Sequence, residues 1–380
     1  MTADVAVSRH ADVPATRPTV AAATLVQLPR MRPDRLRAVA DRWPDPVAAL
    51  RAVCRGRAAA ALVHADGPRS DAGRRRLAAE WATAADPDAT ARVLARRSTR
   101  VLLEGRPGYP IEDPLPDRPP YLLAEGEGLE ALDRPRVAVV GTRAATPHGL
   151  ADARRLGEAL AEAGATVVSG LAIGIDAAAH EGALAAGGLV VGVVATGPDV
   201  VYPRRHVRLF DRVRSSGLLL SEAGFGTPPE PFRFPIRNRI IAALADAVVV
   251  VEAKVTGGTR STAGHALDYG RDLWAQPGSV RNPAAEGCNR LVAEGALPLL
   301  DHAELIESLD LTPRGRHDPA RPPVPAGAPR AVLAACGGEA ATTDQLVGRT
   351  GLSPAEVATA AAILQKGGHL IRSRGTWWPT

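Results

Sequence analysis

The sequence predicts an α/β protein in which a doubly wound parallel sheet lies between a small N-terminal helical domain and a C-terminal winged-helix-like domain. Between Arg136 and Ala296, short Val-rich segments alternate with helical segments, which is the pattern of a parallel sheet with helices on both faces. The chain is 46% hydrophobic but only 3% aromatic, and this aliphatic composition is typical of buried parallel strands. Its 380 residues exceed the ~100 to 200 of one ordinary domain, so two or three domains are expected.

The first part of the chain predicts helices. Residues 1–22 lack the continuous apolar core of a signal peptide and are expected to form a disordered tail. In residues 23–104, apolar side chains such as Leu25, Leu28 and Leu36 recur at helical spacing without a strand pattern. We therefore expect a helical domain of the helix-hairpin-helix or SAM-like type in this region.

The opening of this helical domain, LVQLPRMRPDRL, has the outline of a helix-hairpin-helix, but its turn lacks glycine. Arg30, Arg32 and Pro33 stand where glycines would let such a hairpin approach a DNA backbone closely. Packing or a partner contact is therefore favoured over DNA contact for this domain, and the DNA-binding alternative stays open.

Residues 105–312 are expected to form the sheet domain. Prolines are dense between Gly105 and Arg136, which predicts an extended connector that feeds the first strand. Seven strands are predicted at residues 137–140, 166–169, 189–195, 217–221, 247–252, 272–275 and 298–300. Helices are predicted to begin near Gly149, Gly174, Val207, Arg237, Thr259 and Pro283. In a doubly wound sheet the ligand lies beyond the carboxyl ends of the strands, so the turns there are the candidate site.

The last part of the chain follows a proline-rich linker at residues 313–328. Residues 329–380 predict three helices and a β-ribbon, which is the element order of a winged helix. The helix in the recognition position contains Glu356 and a single base, Lys366, so its surface is poorly suited to reading DNA. A protein contact or the support of a dimer is an equally good interpretation.

The charge of the chain is compatible with nucleic-acid binding. Its formal net charge is +5, and nearly all of its basic residues are arginines, with Lys254 and Lys366 as the only lysines. Arginine holds phosphate through two donors at once. A mildly basic balance in an arginine-rich chain is weak evidence by itself, so the argument depends on where the arginines lie.

Cysteine usage and hydropathy limit the cellular setting. Cys54, Cys288 and Cys336 are odd in number and lack C-x-x-C spacing, which argues against a disulfide framework and a zinc site. No run of the sequence approaches the ~18 apolar residues of a membrane span. We therefore expect a cytoplasmic protein without a membrane partner.

The turn after the first predicted strand reads GTRAATPHG and is suited to phosphate. Dinucleotide-binding turns use G-x-G-x-x-G so that backbone amides approach a pyrophosphate, whereas Gly141, Thr142 and Arg143 offer one tight turn, one hydroxyl and one guanidinium. After the second strand, Ser169 and Gly170 precede a helix start that also favours an anion. A tight strand–helix turn without a ligand is the structural alternative for this second turn.

Two later loops combine aromatic residues with arginines. After the third strand, Tyr202 precedes two arginines and a histidine, and after the fourth strand Phe232 and Phe234 precede the Arg-Asn-Arg triplet at 237–239. Aromatic faces that stack bases, beside guanidinium groups that hold phosphates, are typical of single-stranded nucleic-acid sites. Aromatic residues that plug the edge of the sheet are the structural alternative.

Several enzyme motifs are missing from the sequence. It contains no G-x-x-x-x-G-K-[ST] loop, no G-x-S-x-G elbow, no paired catalytic carboxylates and no metal-ligand spacing. The sequence therefore predicts no catalytic residue, no metal and no organic cofactor, and we expect a binding protein rather than an enzyme.

The motifs occur in an order that resembles the DNA-processing protein A (DprA/Smf) family. The resemblance covers roughly Tyr109 to Ala296 and rests on YPIEDPLPDRPPYLLAEG, VAVVGTR, SGLAIGIDAAAH, DVVYP, SEAGFGTPP, FPIRNRIIAAL, VVVVEA and WAQPGS. It implies an extended Rossmann-like domain that binds single-stranded DNA without sequence preference. It also implies a homodimer that protects incoming DNA and loads the RecA recombinase during natural transformation.

The resemblance assigns the DNA pocket residue by residue, and every position falls in a turn described above or in the loop after the fifth strand. The assigned residues are Gly141, Thr142, Arg143, Ser169, Gly170, Arg237, Asn238, Arg239, Thr259, Ser261 and Thr262, with Tyr202 added as a stacking residue. The sequence departs from the family pattern at His206, where an Asn is usual, at Pro198, where a Leu is usual, and at GGTRST, where SGSLIT is typical. These departures concern the rim of the pocket rather than the fold.

Two other functions are weighed against this one. A nucleotide phosphoribohydrolase of the lysine-decarboxylase-like type has a similar Rossmann core, but its P-G-G-x-G-T motif is followed by a Glu, which the turn at Gly257-Gly258-Thr259 lacks. A pure assembly scaffold would leave the arginine clusters without a role. Single-stranded DNA binding is therefore the leading hypothesis, and it predicts a steep salt dependence.

Overall fold

The computed structural model of the protein describes residues 17–63, 65, 70–115, 117–311, 324–336, 341–366, 369–373 and 376–379. The chain divides into two compact units after Leu309, apart from the short segment Glu162–Gly164, which is grouped with the smaller unit. The larger unit holds the N-terminal helices together with the large sheet. Residues 1–16 of the expected tail and most of the expected linker lie outside the described residues.

In the described part of the chain, five α-helices precede the sheet. They span Arg17–Val26 (α1), Pro33–Arg42 (α2), Pro46–Cys54 (α3), Asp71–Ala84 (α4) and Pro87–Arg97 (α5), with a 3-10 helix at Arg57–Val63. Helix α1 begins inside the segment that the sequence predicts to be a tail, because Ala21, Ala22 and Leu25 pack into the core of the N-terminal helices. Burial of an apolar face stabilises a helix that is too short to form by itself.

Nine strands form the sheet of the larger unit. They span Arg100–Leu103 (β1), Tyr121–Glu125 (β2), Arg136–Val140 (β3), Thr166–Ser169 (β4), Val190–Val194 (β5), Gly217–Ser221 (β6), Ala247–Val250 (β7), Asp272–Ala275 (β8) and Leu297–Pro298 (β9). Their order is β1-β2-β6-β5-β4-β3-β7-β8-β9. Strands β3 to β9 pair in parallel, whereas β2 pairs antiparallel with β1 and β6. These parallel strands correspond to the predicted ones, which confirms the predicted α/β fold.

Two predictions are wrong at this edge of the sheet, because β1 lies in the region predicted as helical without a strand and β2 lies in the segment predicted as an extended connector. Tyr121 and Leu123 of β2 pack into the core of the N-terminal helices, whereas Leu122 and Ala124 pack into the core of the sheet. Neighbouring residues of a strand point to opposite faces, so β2 belongs to both cores at once. The helical region and the sheet, which the sequence predicts as separate domains, therefore form one compact unit.

Seven helices follow β3 along the chain before the second unit. They span Pro147–Glu162 (α6), Ile175–Ala185 (α7), Val207–Ser216 (α8), Arg233–Leu244 (α9), Gly258–Asp268 (α10), Glu286–Ala293 (α11) and His302–Ser308 (α12). After β3 the chain adds β4, β5 and β6 on one side, and it then places β7 on the other side of β3. A crevice opens between the carboxyl ends of neighbouring strands where the strand order reverses in this way. The fold therefore provides a ligand site between β3 and β7.

The described residues of the smaller unit form three helices and three short strands. The helices span Ala328–Cys336 (α13), Thr343–Thr350 (α14) and Pro354–Lys366 (α15), and the strands span Ala341–Thr342 (β10), Leu370–Ser373 (β11) and Thr376–Pro379 (β12). The strands pair antiparallel in the order β10-β12-β11. Val332, Leu346, Leu364 and Trp377 belong to its apolar core. Its assignment as a winged helix stays a prediction.

The described segments contain neither a membrane-spanning helix nor a cluster of metal ligands. None of the helices there combines the length and the apolar character that crossing a membrane requires. No three His, Cys, Asp or Glu side chains in the same segments gather as metal ligands would. Cys54, Cys288 and Cys336 are free thiols.

Candidate nucleic-acid interface

A cavity of about 510 Å³ opens at the carboxyl ends of β3 and β7. The loops that follow β3 to β7 line it together with residues of α7, α9 and α10. Most of the predicted binding residues lie in this lining, namely Gly141, Thr142, Arg143, Tyr202, Arg237, Asn238, Thr259 and Thr262. The other four predicted residues, Ser169, Gly170, Arg239 and Ser261, are not part of the lining. We call this cavity the switch-point cavity, because it lies where the strand order reverses between β3 and β7.

The turn after β3 brings the backbone close to two neighbouring elements. A Cβ atom at Gly141 would lie 2.5 Å from Cγ1 of Ile175 and 2.8 Å from the carbonyl oxygen of Glu252, so only glycine fits. The Thr142 amide donates to that same Glu252 carbonyl at 2.7 Å, and the Thr142 hydroxyl accepts from the Ala144 amide at 3.2 Å. These bonds fix the turn and leave Arg143 exposed at its tip.

The start of α6 is occupied by a side chain of the protein itself. The Glu252 carboxylate accepts from the Thr146 amide at 2.8 Å and from the Thr146 hydroxyl at 2.7 Å, and it is only 6% exposed. A Cβ atom at Gly149 would lie 2.5 Å from this carboxylate. The N-terminus of the first helix is where a dinucleotide fold holds its pyrophosphate. An internal carboxylate therefore fills the position that a dinucleotide cofactor would need.

Arg237 forms part of the floor of the switch-point cavity. Its guanidinium donates to the Gly170 carbonyl at 2.9 Å and to the Val193 carbonyl, at the carboxyl ends of β4 and β5. A Cβ atom at Gly170 would lie 2.5 Å from Nη2 of Arg237, so this glycine makes room for the guanidinium. Burial lowers the pKa of Arg237 to about 10, against the opposing effect of Asp176. Arg237 therefore remains charged at neutral pH but is held by the sheet.

Ser169 and Arg239 are engaged inside the protein. The Ser169 hydroxyl donates to the Val139 carbonyl at 2.6 Å and links β4 to β3. Arg239 donates from Nη2 to both carboxylate oxygens of Glu222, at 2.7 Å and 2.8 Å. The resemblance assigns both residues to the DNA pocket, whereas their side chains are hydrogen-bonded and buried. Both side chains therefore stabilise the structure around the cavity and do not line it.

Arg143, Phe234 and Tyr202 form a continuous cluster on the rim, which we call the rim cluster. The Arg143 guanidinium carbon lies 5.1 Å from the centre of the Phe234 ring, and the Phe234 and Tyr202 ring centres are 5.4 Å apart at an angle of 48°. Tyr202 is 41% exposed. Arg143 forms no ion pair with any residue that the structure describes. The rim cluster thus offers planar surfaces beside an available positive charge.

Lys254 is a site residue that the sequence reasoning missed. It lines the switch-point cavity, is exposed, and has no ion pair within the described segments. Its signal in the sequence was its place directly after the Val-rich β7 and its being one of only two lysines. On the opposite wall, Asn238 donates to the Gly258 carbonyl at 3.1 Å and so secures the loop that follows Lys254.

The charge balance of the switch-point cavity favours an anion. Arg143, Arg237 and Lys254 contribute positive charge, and Asp176 is the single carboxylate of the described lining. The Gly170 amide donates to Asp176 at 3.1 Å, and burial raises the pKa of Asp176 while Arg237 opposes that effect. Asp176 thus stabilises the loop at Gly170 and the charge of Arg237 rather than contacting a ligand. A polyanion with planar groups fits the chemistry of this lining.

The chain is similar to known proteins over most of its larger unit. Residues 100–310 match the family model described as DNA recombination-mediator protein A. The chain is 38% identical over 222 residues to Protein Smf of Synechocystis sp., and this match covers 57% of the chain and 56% of the relative. The chain therefore spans just over half the length of that relative.

Two solved structures are also similar to this one. The structure of DNA processing protein A from Streptococcus pneumoniae has a TM-score of 0.64 and 31% identity, and the match covers 77% of this chain and 97% of that one. The structure of DNA processing protein A from Helicobacter pylori, which is described for its single-stranded DNA binding mode, has a TM-score of 0.50 and 30% identity, with 56% and 95% covered. The resemblance that the motifs carry is thereby confirmed, and the chain belongs to the DNA recombination-mediator protein A family.

Proposed function

We propose that the protein binds single-stranded DNA, without sequence preference, at the switch-point cavity. The observation that carries this proposal is the rim cluster, in which Phe234 contacts both Arg143 and Tyr202 beside a lining with excess positive charge. Bases stack on aromatic rings and on guanidinium planes alike. The single-stranded DNA binding mode described for the H. pylori relative supports the same conclusion.

In this proposal, the basic residues of the cavity contact phosphates and the aromatic residues contact bases. Arg143 and Lys254 would hold phosphates from two sides of the cavity, and Tyr202 and Phe234 would stack bases, each worth ~1 to 3 kcal/mol. The side-chain amide of Asn238 already donates to the Gly258 carbonyl, so it is not free to read a base edge. Contacts to phosphates and ring faces carry little sequence information, so weak sequence preference is expected.

The family membership supports a proposal for the biological role. As a recombination mediator, the protein would protect incoming single strands in the cytoplasm and deliver them to the RecA recombinase during natural transformation. A homodimer would align two switch-point cavities into one longer track. The C-terminal unit would then serve protein contact rather than DNA reading, since Lys366 is the only base of α15.

The binding proposal is tested by fluorescence anisotropy with a mixed-sequence single-stranded oligonucleotide across a salt series. We expect tighter binding to single than to double strands, and about ten- to 150-fold weaker binding for Arg143→Ala, the effect of losing a charged hydrogen bond of ~1.5 to 3 kcal/mol. Arg92→Ala removes the same charge from an exposed helix position outside the cavity and should bind like the native protein. Equal affinity of the two variants would contradict the proposal.

Delivery to RecA and dimer formation need measurements of their own. Light scattering of the purified chain gives its oligomeric state, and a mass of one chain at micromolar concentration would contradict the dimer. RecA filament formation on single strands covered by a single-strand-binding protein should accelerate when the protein is added. Arg143→Ala should remove that acceleration, and an unchanged rate with the native protein would exclude the delivery role.

The phosphoribohydrolase alternative has no support at the site. Its glutamate is missing after Gly257-Gly258-Thr259, and the carboxylate that the cavity does contain, Asp176, is bonded to the Gly170 amide. The family match, with its description as a recombination mediator, favours a role in DNA processing over nucleotide hydrolysis. Incubation with nucleoside monophosphates should therefore release no free base.

A further inference from the structure

A second cavity, of about 340 Å³, lies on the other side of the first turn of α9. Its lining comes from the segment 26–33 between α1 and α2, from the loop after β6, and from Arg233 and Arg237 of α9. Arg237 also lines the switch-point cavity. Only the start of α9 therefore separates the two cavities. We call the second one the hairpin cavity.

Two aromatic rings at the start of α9, Phe232 and Phe234, each contact an arginine. Phe234 is covered by Arg143 at 5.1 Å. Phe232 is contacted by Arg32 at 5.0 Å and by Arg233 at 5.1 Å, and both of these arginines line the hairpin cavity. Phe232 nevertheless remains 38% exposed. The pairing of a ring with a guanidinium from another element thus occurs twice within three residues.

The segment that carries Arg32 is held rigidly. Arg30 adopts a φ of 54°, which favours glycine, so the hairpin turn forms although the sequence lacks the usual glycines. The Arg35 guanidinium donates to the Arg30 carbonyl at 2.6 Å, and the buried Trp81 donates to the Pro29 carbonyl at 2.8 Å. A group held in place by such bonds loses little entropy when it binds a ligand.

We propose that the hairpin cavity continues the DNA track, with Arg32 and Arg233 as its phosphate contacts and with Phe232 as a further base-stacking residue, since this ring lies outside the lining but contacts both arginines. This proposal rests on the proposed function of the switch-point cavity. Phe232 and Phe234 are separated by one residue, so their Cα atoms are at most ~7 Å apart, and a strand long enough to fill the switch-point cavity can continue to Phe232. The N-terminal helices then contribute side chains, rather than a glycine backbone, to DNA binding.

The charges of the hairpin cavity suit weak binding of a DNA strand that already fills the switch-point cavity. Arg30, Arg32, Arg233 and Arg237 line it together with Glu222 and Glu230. The Arg233 guanidinium pairs with Glu230 at 2.7 Å, and the Glu230 side chain is 43% exposed. A phosphate must compete with this carboxylate for Arg233, and with Asp34, whose carboxylate lies 3.5 Å from Nε of Arg32, for Arg32. The cavity therefore adds affinity to a long strand but holds a short one weakly.

The test compares oligothymidylates of about 4 and about 16 nucleotides, the range of single-strand site sizes. Phe232→Ala should weaken binding of the long oligonucleotide about five- to 150-fold, which corresponds to one stacked base, and leave the short one unchanged. Glu230→Gln should tighten the long oligonucleotide only. Val280→Ala, which removes an apolar side chain that is 94% exposed and outside both cavities, serves as the control.

The outcomes separate this inference from the proposed function. If Arg143→Ala loses both oligonucleotides while Phe232→Ala binds the long one like the native protein, the hairpin cavity is not part of the track. If Phe232→Ala loses both lengths equally, the ring belongs to the first cavity and the inference is wrong. If the native protein binds neither length, the proposed function fails and the inference fails with it. Circular dichroism of Phe232→Ala against Val280→Ala verifies that the fold is retained.

Discussion

The pair of Glu222 and Arg239 gives a sharp test of whether Arg239 supports the site or contacts the ligand. Their side chains are 7% and 8% exposed, and the Glu222 carboxylate accepts two bonds from Arg239. Burial opposes the charge of Arg239, but Glu222 keeps the pKa of Arg239 above its ordinary value. The substitution Glu222→Gln removes the charge with little change in shape. Arg239 then stays buried with Asp117, at 3.7 Å, as the carboxylate beside it.

Removing one partner of a buried ion pair costs ~3 to 5 kcal/mol, because the other charge is left uncompensated. Since Asp117 remains and glutamine still offers an oxygen, we expect Glu222→Gln to lower the free energy of unfolding by the lower value, about 3 kcal/mol. Urea denaturation followed by circular dichroism measures it. Glu230→Gln breaks a pair whose carboxylate is 43% exposed and should cost less than ~1 kcal/mol.

The same variant separates the two interpretations of Arg239. If Arg239 only supports the site, folded Glu222→Gln should bind a short oligonucleotide with native affinity. A loss of stability below ~1 kcal/mol, which is the range of an exposed pair, would refute the reasoning from burial. A gain in affinity for the short oligonucleotide would show that release of Arg239 from Glu222 lets it reach phosphate.

Three further outcomes follow from the same structure. Gly170→Ala places a Cβ 2.5 Å from the Arg237 guanidinium, so it should destabilise the fold by ~1 to 3 kcal/mol in urea denaturation, whereas a native midpoint would show that Arg237 can move at no cost. Lys254→Ala should reduce the slope of log affinity against log salt by about 0.7, the value for one phosphate contact on a single strand; an unchanged slope would exclude that contact. Burial lowers the pKa of His180 to about 4 from its ordinary 6.5, so the unfolded chain binds the extra proton between these values and stability should fall by roughly 3 kcal/mol as the pH drops from 6.5 to 4. His180→Gln should flatten that part of the stability profile, and an equally steep profile would assign the acid sensitivity to other groups.

The parallel strands could be predicted because both of their faces are buried. A strand covered by helices on two sides is a continuous apolar run, and β3, β5 and β7 read as such runs. Strands β1 and β2 could not be predicted in the same way. They pair antiparallel at an edge, and β2 is flanked by prolines, so the sequence there gives the signal of a connector. What stabilises β2 is its contact with two cores, which no local pattern contains.

The candidate site was predicted in outline but not in its division of roles. Glycines with tight neighbours and arginines after strands identify the right turns, and Gly141 and Arg143 lie at the cavity as expected. Arg237 and Arg239 are two positions apart on α9, so they point in different directions. Their partners, Gly170 and Glu222, lie 67 and 17 residues away. The internal hydrogen bonds of the two arginines depend on these long-range contacts. A local sequence motif therefore cannot predict them.

A buried nucleotide and a passing DNA strand make opposite demands on this type of fold. A mononucleotide needs a vacant helix N-terminus and free amides at the strand ends, deep in the crevice. Here the Glu252 carboxylate takes the start of α6, and the Arg237 guanidinium takes the carbonyls at the ends of β4 and β5. Both of these positions are thereby occupied by the protein's own side chains, whereas Arg143 and Lys254 at the rim form no ion pair in the described segments. A rim with cations and ring faces can hold a polymer at many successive units, because each unit needs only a phosphate and a base face, whereas it would hold a single nucleotide weakly.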